Sequence, residues 1–165
     1  MKIYLDMDGV LTNFEKRYDE LFGIRPSEQA ERTTHFWRFF EEFIEGGNFR
    51  TLEKHPDADT LLQFVHEMRV PVEILTSSGG EKHHHRVSED KIAWLQQNAI
   101  PYKANVVPGG SKKAAMAQPW HILVDDTPHV VEKYRAAGGT AILHHDIDVT
   151  LSELAKLHLK WQGGE

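Results

Sequence analysis

Two rhythms of apolar positions alternate along this chain. It opens on a short apolar run, Ile3-Tyr4-Leu5, which reads as a buried strand. The apolar residues that follow return at helical spacing. Phe14, Tyr18, Leu21 and Phe22 fall on one stripe, with Asn13 placed to cap the helix and Gly23 to end it. Ile24–Thr33 is polar, holds Pro26 and predicts a loop. Thr34 can cap a second helix carrying Phe36, Trp37, Phe39, Phe40, Phe43 and Ile44, closed by Gly46-Gly47. A third helix is expected over Asp57–Arg69, with Leu61, Leu62, Phe64, Val65 and Met68. Three helices thus precede the next strand, more than a single crossover requires.

From Val72 the rhythm is regular. Val72–Leu75 predicts a strand ending in Thr76-Ser77-Ser78-Gly79-Gly80, and Ser88 is placed to cap a helix with Ile92, Trp94 and Leu95 that stops before Pro101. Asn105-Val106-Val107 predicts a short strand and Ser111–Ala117 a short helix. His121–Val124 predicts a strand ending at Asp125-Asp126, and Pro128–Ala137 a helix ended by Gly138-Gly139. Thr140–Leu143 predicts a fifth strand and Thr150–Trp161 a last helix. Alternating strands and helices imply an α/β fold, a five-stranded parallel sheet flanked by helices. No repeat, low-complexity segment or linker interrupts it. The expected organisation is a core of residues 1–13 and 71–165, with 14–70 inserted as a small helical cap.

At 165 residues the chain is long enough for one domain with a real core. A formal charge of −6 argues against holding polymeric nucleic acid, which wants a basic surface, but does not exclude a single nucleotide. Without cysteine, neither disulfides nor thiolate metal sites are available. No long apolar stretch suggests a membrane span, and a core strand at the N-terminus does not read as a signal peptide, so a cytoplasmic protein is expected.

Polar groups gather at four strand ends, where open α/β sheets bind ligands. Asp6 and Asp8 follow the first strand, with Gly9 permitting a sharp turn; carboxylates two apart in a strand point to one side and converge. Such crowding is costly unless a cation, a proton or a reacting group needs it. Thr76 and Ser77 offer hydroxyls and backbone N–H groups suited to phosphoryl oxygens. Lys112 and Lys113 open the short helix before the fourth strand, where a cation favours an anion further. Asp125-Asp126 ends that strand.

Asp6-Met7-Asp8-Gly9-Val10 with Leu11-Thr12 resembles motif I, DxDGx(T/V), of the haloacid dehalogenase superfamily of phosphotransferases. The longer DMDGVLTNF is similar to the start of the 5'(3')-deoxyribonucleotidases. Thr76-Ser77 resembles motif II, although the relatives' Thr-Ser-Pro is here Thr-Ser-Ser. Lys113, leading Lys-Ala-Ala-Met-Ala, resembles the motif III lysine better than Lys112 does, and Asp125-Asp126 resembles motif IV. The resemblance implies a Mg²⁺-dependent phosphomonoesterase in which Asp6 becomes an aspartyl phosphate and Asp8 is the general acid and base. Mg²⁺ would be held by Asp6, the Asp8 carbonyl and one carboxylate of Asp125-Asp126, the other being held through water or Lys113. Thr76, Ser77 and Lys113 would hold the phosphate. Cap aromatics hold the base in the resembling enzymes, which points to Phe36, Trp37 or Phe49 here, and most of the other aromatics to core.

The implied substrate is a (deoxy)ribonucleoside 5'-monophosphate, with no nucleic-acid polymer and no membrane as partner; a homodimer stays open. Another small phosphomonoester, or a catalytically idle binding protein of the same fold, are the alternatives. His83-His84-His85 and His144-His145-Asp146 are expected at the surface, and Lys91 and Trp94 are expected to serve structure.

Overall fold

In the computed structural model, which describes residues 1–29 and 34–164, the apolar runs become five strands. These are β1 (Lys2–Leu5), β2 (Val72–Ser77), β3 (Ala104–Val107), β4 (His121–Asp125) and β5 (Thr140–Leu143). All pair in parallel, in the order β3-β2-β1-β4-β5. Strand order reverses about β1, and the crevice at such a reversal is where α/β sheets place ligands. Leu5 lies opposite both Ile74 and Val124, so Asp6 leaves the sheet level with Asp125 at the end of β4, while β2 runs on to Ser77.

Seven α-helices accompany the sheet among the described residues: α1 (Phe14–Phe22), α2 (Thr34–Glu45), α3 (Asn48–Thr51), α4 (Ala58–Glu67), α5 (His84–Gln97), α6 (Pro128–Ala136) and α7 (Ile147–Gln162). Side chains alternate across the strands and split the core in two. Ile3, Leu5, Ile74 and Val124 pack with Leu61 and Val65 of α4, Trp94 of α5 and Leu154 of α7. Tyr4, Leu75 and Leu123 pack with Val130, Val131 and Tyr134 of α6 on the other face. Tyr18, Phe43, Ile44 and Phe49, from α1 to α3, continue the first cluster beyond the strand ends. No described helix is long and apolar enough to cross a membrane.

Several boundaries differ from expectation, each for a local reason. α5 begins at His84 rather than at Ser88, whose hydroxyl donates to the His84 carbonyl at 2.6 Å from inside the helix. His84 and His85 are therefore helical rather than in a loop. α7 begins at Ile147 because the Asp146 carboxylate accepts from the Val149 N–H at 3.0 Å, a cap four residues upstream of Thr150. His144, expected at the surface, is buried, with Nδ1 2.7 Å from the Thr150 hydroxyl. Gly47, at φ 68°, interrupts the helical path, and the single turn α3 follows it unforeseen. Pro26–Glu28 is a 3₁₀ turn within the expected loop, and Gly110–Met116 is 3₁₀ rather than α-helical. The cap expected of Thr34 rests on a side chain outside the described residues.

Candidate active site

β1 ends at Leu5, and the next seven residues form a tight turn rather than more strand. The Met7 carbonyl accepts from the N–H groups of Val10, Leu11 and Thr12, and Gly9 turns at φ 79°. A Cβ at Gly9 would overlap the Asp126 carboxylate, so glycine is required both for its φ and for that approach. The turn also changes what the two aspartates do. They no longer share one side of a strand, and each meets its own lysine. Asp6 Oδ1 lies 2.8 Å from Lys113 Nζ, whereas Asp8 Oδ2 accepts from Lys91 Nζ at 2.8 Å and Asp8 Oδ1 from the Thr12 hydroxyl at 2.9 Å.

Asp6, Asp125 and Asp126 each offer a carboxylate oxygen within 4.8 Å of the others. The Asp8 side chain is outside this trio. Asp125 has both oxygens engaged, one by Lys113 at 2.6 Å and one by the Thr127 N–H at 2.9 Å. Among the described residues Asp126 keeps only the Thr127 hydroxyl, at 3.2 Å, and it is the carboxylate of the pair that faces the cleft. Burial, then the charge of Asp125, pushes Asp6 up to about 6, against the pull of Lys113. Burial, then Asp6, raises Asp126 well above the ordinary carboxylate range. For Lys113 burial acts downward, but Asp6 and Asp125 outweigh it and hold the ammonium charged. Three carboxylates share one buried lysine, and the surplus negative charge suits a hard divalent cation with oxygen ligands.

Of the two candidate lysines, Lys113 is buried in this cluster and Lys112 points away to Glu81 at 3.0 Å. Thr76 is fully buried, and its hydroxyl oxygen accepts from Lys91 at 2.8 Å. Ser77 accepts from the Gly79 N–H at 3.0 Å and fixes the loop beyond the strand. Above these groups opens a cleft of about 620 Å³, floored by Asp6, Asp8, Thr76, Ser77, Lys113 and Asp126. Phe36, Trp37 and Phe49 all line it, as do Phe14 and Phe40. Phe49 is nearly wholly buried, while Trp37 stands 43% exposed at the rim. The His83-His84-His85 run finds its partners outside the trio. His83 faces Glu41 at 3.3 Å, His84 meets the Ser78 hydroxyl at 2.7 Å, and His85 faces Glu89 at 3.3 Å.

Lys91 is the residue that sequence reasoning missed as part of the site. A signal existed: Val87, Lys91, Trp94 and Leu95 fall on one stripe of α5, and all four are buried. A lysine on the apolar stripe of a core helix must have partners inside. Trp94, by contrast, serves structure as expected, its indole N–H donating to the Leu52 carbonyl at 2.7 Å.

Comparison with known proteins follows the same lines. The family model for 5' nucleotidase, deoxy (pyrimidine), cytosolic type C protein matches residues 1–162. No curated protein matches the chain. Among solved structures, a hydrolase from Streptococcus pneumoniae TIGR4 shares 16% identity at a TM-score of 0.55, over 93% of this chain and 97% of that one. A hydrolase from Pseudomonas syringae shares 14% at 0.51, over 95% and 90%. The L-2-haloacid dehalogenase from Xanthobacter autotrophicus, with chloropropionic acid covalently bound, shares 12% at 0.51, over 94% and 82%. At such identities the likeness is one of fold.

Proposed function

Because the chain belongs to the deoxy-pyrimidine, cytosolic type C family of 5'-nucleotidases, we propose that it is a Mg²⁺-dependent phosphomonoesterase acting on (deoxy)ribonucleoside 5'-monophosphates through an aspartyl phosphate on Asp6. The observation that carries this reading is the separation of the two aspartates. Asp6 sits among charges that suit a nucleophile and a cation, while Asp8 stands beside it on the cleft floor with a different set of partners.

In the proposed reaction an Asp6 oxygen forms a bond to phosphorus as the ester P–O bond breaks, and the departing oxygen takes a proton from Asp8. Water then attacks the aspartyl phosphate, losing its proton to Asp8, and Asp6 is restored as inorganic phosphate leaves. Thr76, Ser77 and Lys113 would hold the non-bridging oxygens. Asp6, the Asp8 carbonyl and Asp126 are the groups that would hold Mg²⁺, with Asp125 fixing Lys113. When bound, the ion would offset carboxylate and phosphate charge. The aromatic walls suit a base and sugar. Residues 14–70 would act as the cap, α1 to α3 walling the cleft while α4 packs back on the sheet.

A panel of nucleoside and sugar phosphates, assayed for phosphate release with and without Mg²⁺, tests this. The expected result is release from nucleoside 5'-monophosphates, lost with chelator and in Asp6→Asn. Release from sugar phosphates alone would move the substrate class. No release from any member would leave the binding-protein alternative.

A further inference from the structure

We infer that Lys91 is a positioning residue that aims Asp8 at the leaving oxygen, which makes it a determinant of how well poor leaving groups are handled. The inference rests on the phosphomonoesterase reading above and adds a residue to it. Lys91 is 1% exposed, and its ammonium has three N–H donors. All three are used, on Asp8 Oδ2, Thr76 Oγ1 and the Ser77 carbonyl, each at 2.8 Å. The Phe49 ring lies 5.0 Å away and closes the remaining side, and the Arg50–Asp90 ion pair at 3.0 Å fastens α3 to α5 next to it.

Burying an ammonium is costly, and the two neutral acceptors would be served by any neutral donor. The group that needs the charge is Asp8. With Thr12 on Oδ1 and Lys91 on Oδ2, neither oxygen can swing freely, and the plane of the carboxylate is set from both ends. Lys113 is directed elsewhere, to Asp6 and Asp125. The two buried lysines thus sort the two aspartates into separate places.

The consequence lies in the first chemical step. As the Asp6 oxygen bonds to phosphorus and the ester bond breaks, an alkoxide must receive the Asp8 proton, whereas p-nitrophenolate leaves without one. A misaimed Asp8 therefore costs more as the leaving oxygen becomes more basic. The ratio kcat/KM reports binding and chemistry up to this step and leaves out the later attack of water on the acyl phosphate, which is common to all substrates.

The test compares kcat/KM of the wild type and Lys91→Met on p-nitrophenyl phosphate, phenyl phosphate and a nucleoside 5'-monophosphate. General acid catalysis is worth about 10²–10⁴-fold, so a loss of about 100-fold is expected on the nucleotide. The loss on p-nitrophenyl phosphate should be roughly tenfold smaller or less, with phenyl phosphate between. A uniform loss on all three, or one carried by KM alone, would overturn the inference, since a phosphate anchor or a merely structural lysine behaves that way. If Lys91→Met does not fold, Thr12→Val frees the other Asp8 oxygen and should show the same graded loss at smaller size; a flat profile there overturns it equally. A wild type inert toward all three would defeat the phosphomonoesterase reading and this inference with it, an outcome separate from graded failure of the variants.

Discussion

Asp126 carries the least compensated charge of the acidic trio, because Lys113 directs its contacts to Asp6 and Asp125. Its proton affinity, like that of Asp6, is higher in the folded chain than in the unfolded one, through burial and then neighbouring carboxylates. The folded state then binds more protons, so metal-free stability falls as pH rises from the ordinary carboxylate range through about 6 for Asp6. A cation bound by the ionised trio acts in the opposite sense. Mg²⁺ should therefore raise Tm more at about pH 7.5 than at about pH 5. Asp126→Asn should raise the metal-free Tm at neutral pH by about 3–6 °C, roughly 1–2 kcal/mol, and remove the response to Mg²⁺. Thermal melts across pH check both, and a Tm indifferent to Mg²⁺ throughout would count against the cation site. Asp6 and the pair Asp125-Asp126 were legible in the sequence because each directly follows an apolar strand run. The burial of Lys91 was legible in the apolar stripe of α5, but its partners were not, because they lie on the turn after β1 and on β2.

The elements around the cleft meet through side chains more than through the sheet. The Phe40 ring lies against Gly79, where a Cβ would stand 2.5 Å from Phe40 Cζ, so α2 rests on the loop that follows Ser77. Glu41 holds Lys82 at 2.7 Å and His83 at 3.3 Å from the same helix. Phe36 and Phe40 stack at 5.8 Å, with Trp37 edge-on to Phe36 at 5.3 Å. Rim and core roles separate here. Trp37→Ala should raise KM for nucleoside monophosphates about 10-fold, the size of one base-stacking contact, and leave p-nitrophenyl phosphate nearly unaffected. Phe49→Ala, in the core, should instead destabilise by about 3–5 kcal/mol. Steady-state kinetics and melts on the two variants distinguish these outcomes. Helical spacing placed the bounds of α1, since apolar stripe and terminal glycine agree, but the Asn13 side chain makes no cap bond, the chain being held there by the Asn13 N–H on the Glu53 carbonyl. It missed the first turn of α5, because three histidines carry no apolar period and Ser88 offers a hydroxyl that bonds backward as readily as it caps.

For the molecule as a whole, alternation of strand and helix made the parallel α/β sheet readable, and the ordered polar strand ends made the family readable. The strand order, and with it the meeting of β1, β2 and β4 at one edge, follows from crossovers that local patterns do not encode. The pairing of Asp8 with Lys91 across 83 positions is of the same kind. What unites these levels is the claim that Asp6 accepts the phosphoryl group. Acid quenching of the enzyme during turnover of a phosphate-labelled substrate, followed by peptide mapping, tests it most directly. One phosphoryl group is expected on the N-terminal peptide at Asp6, absent in Asp6→Asn. Turnover with no covalent label, or with label on another residue, would contradict it.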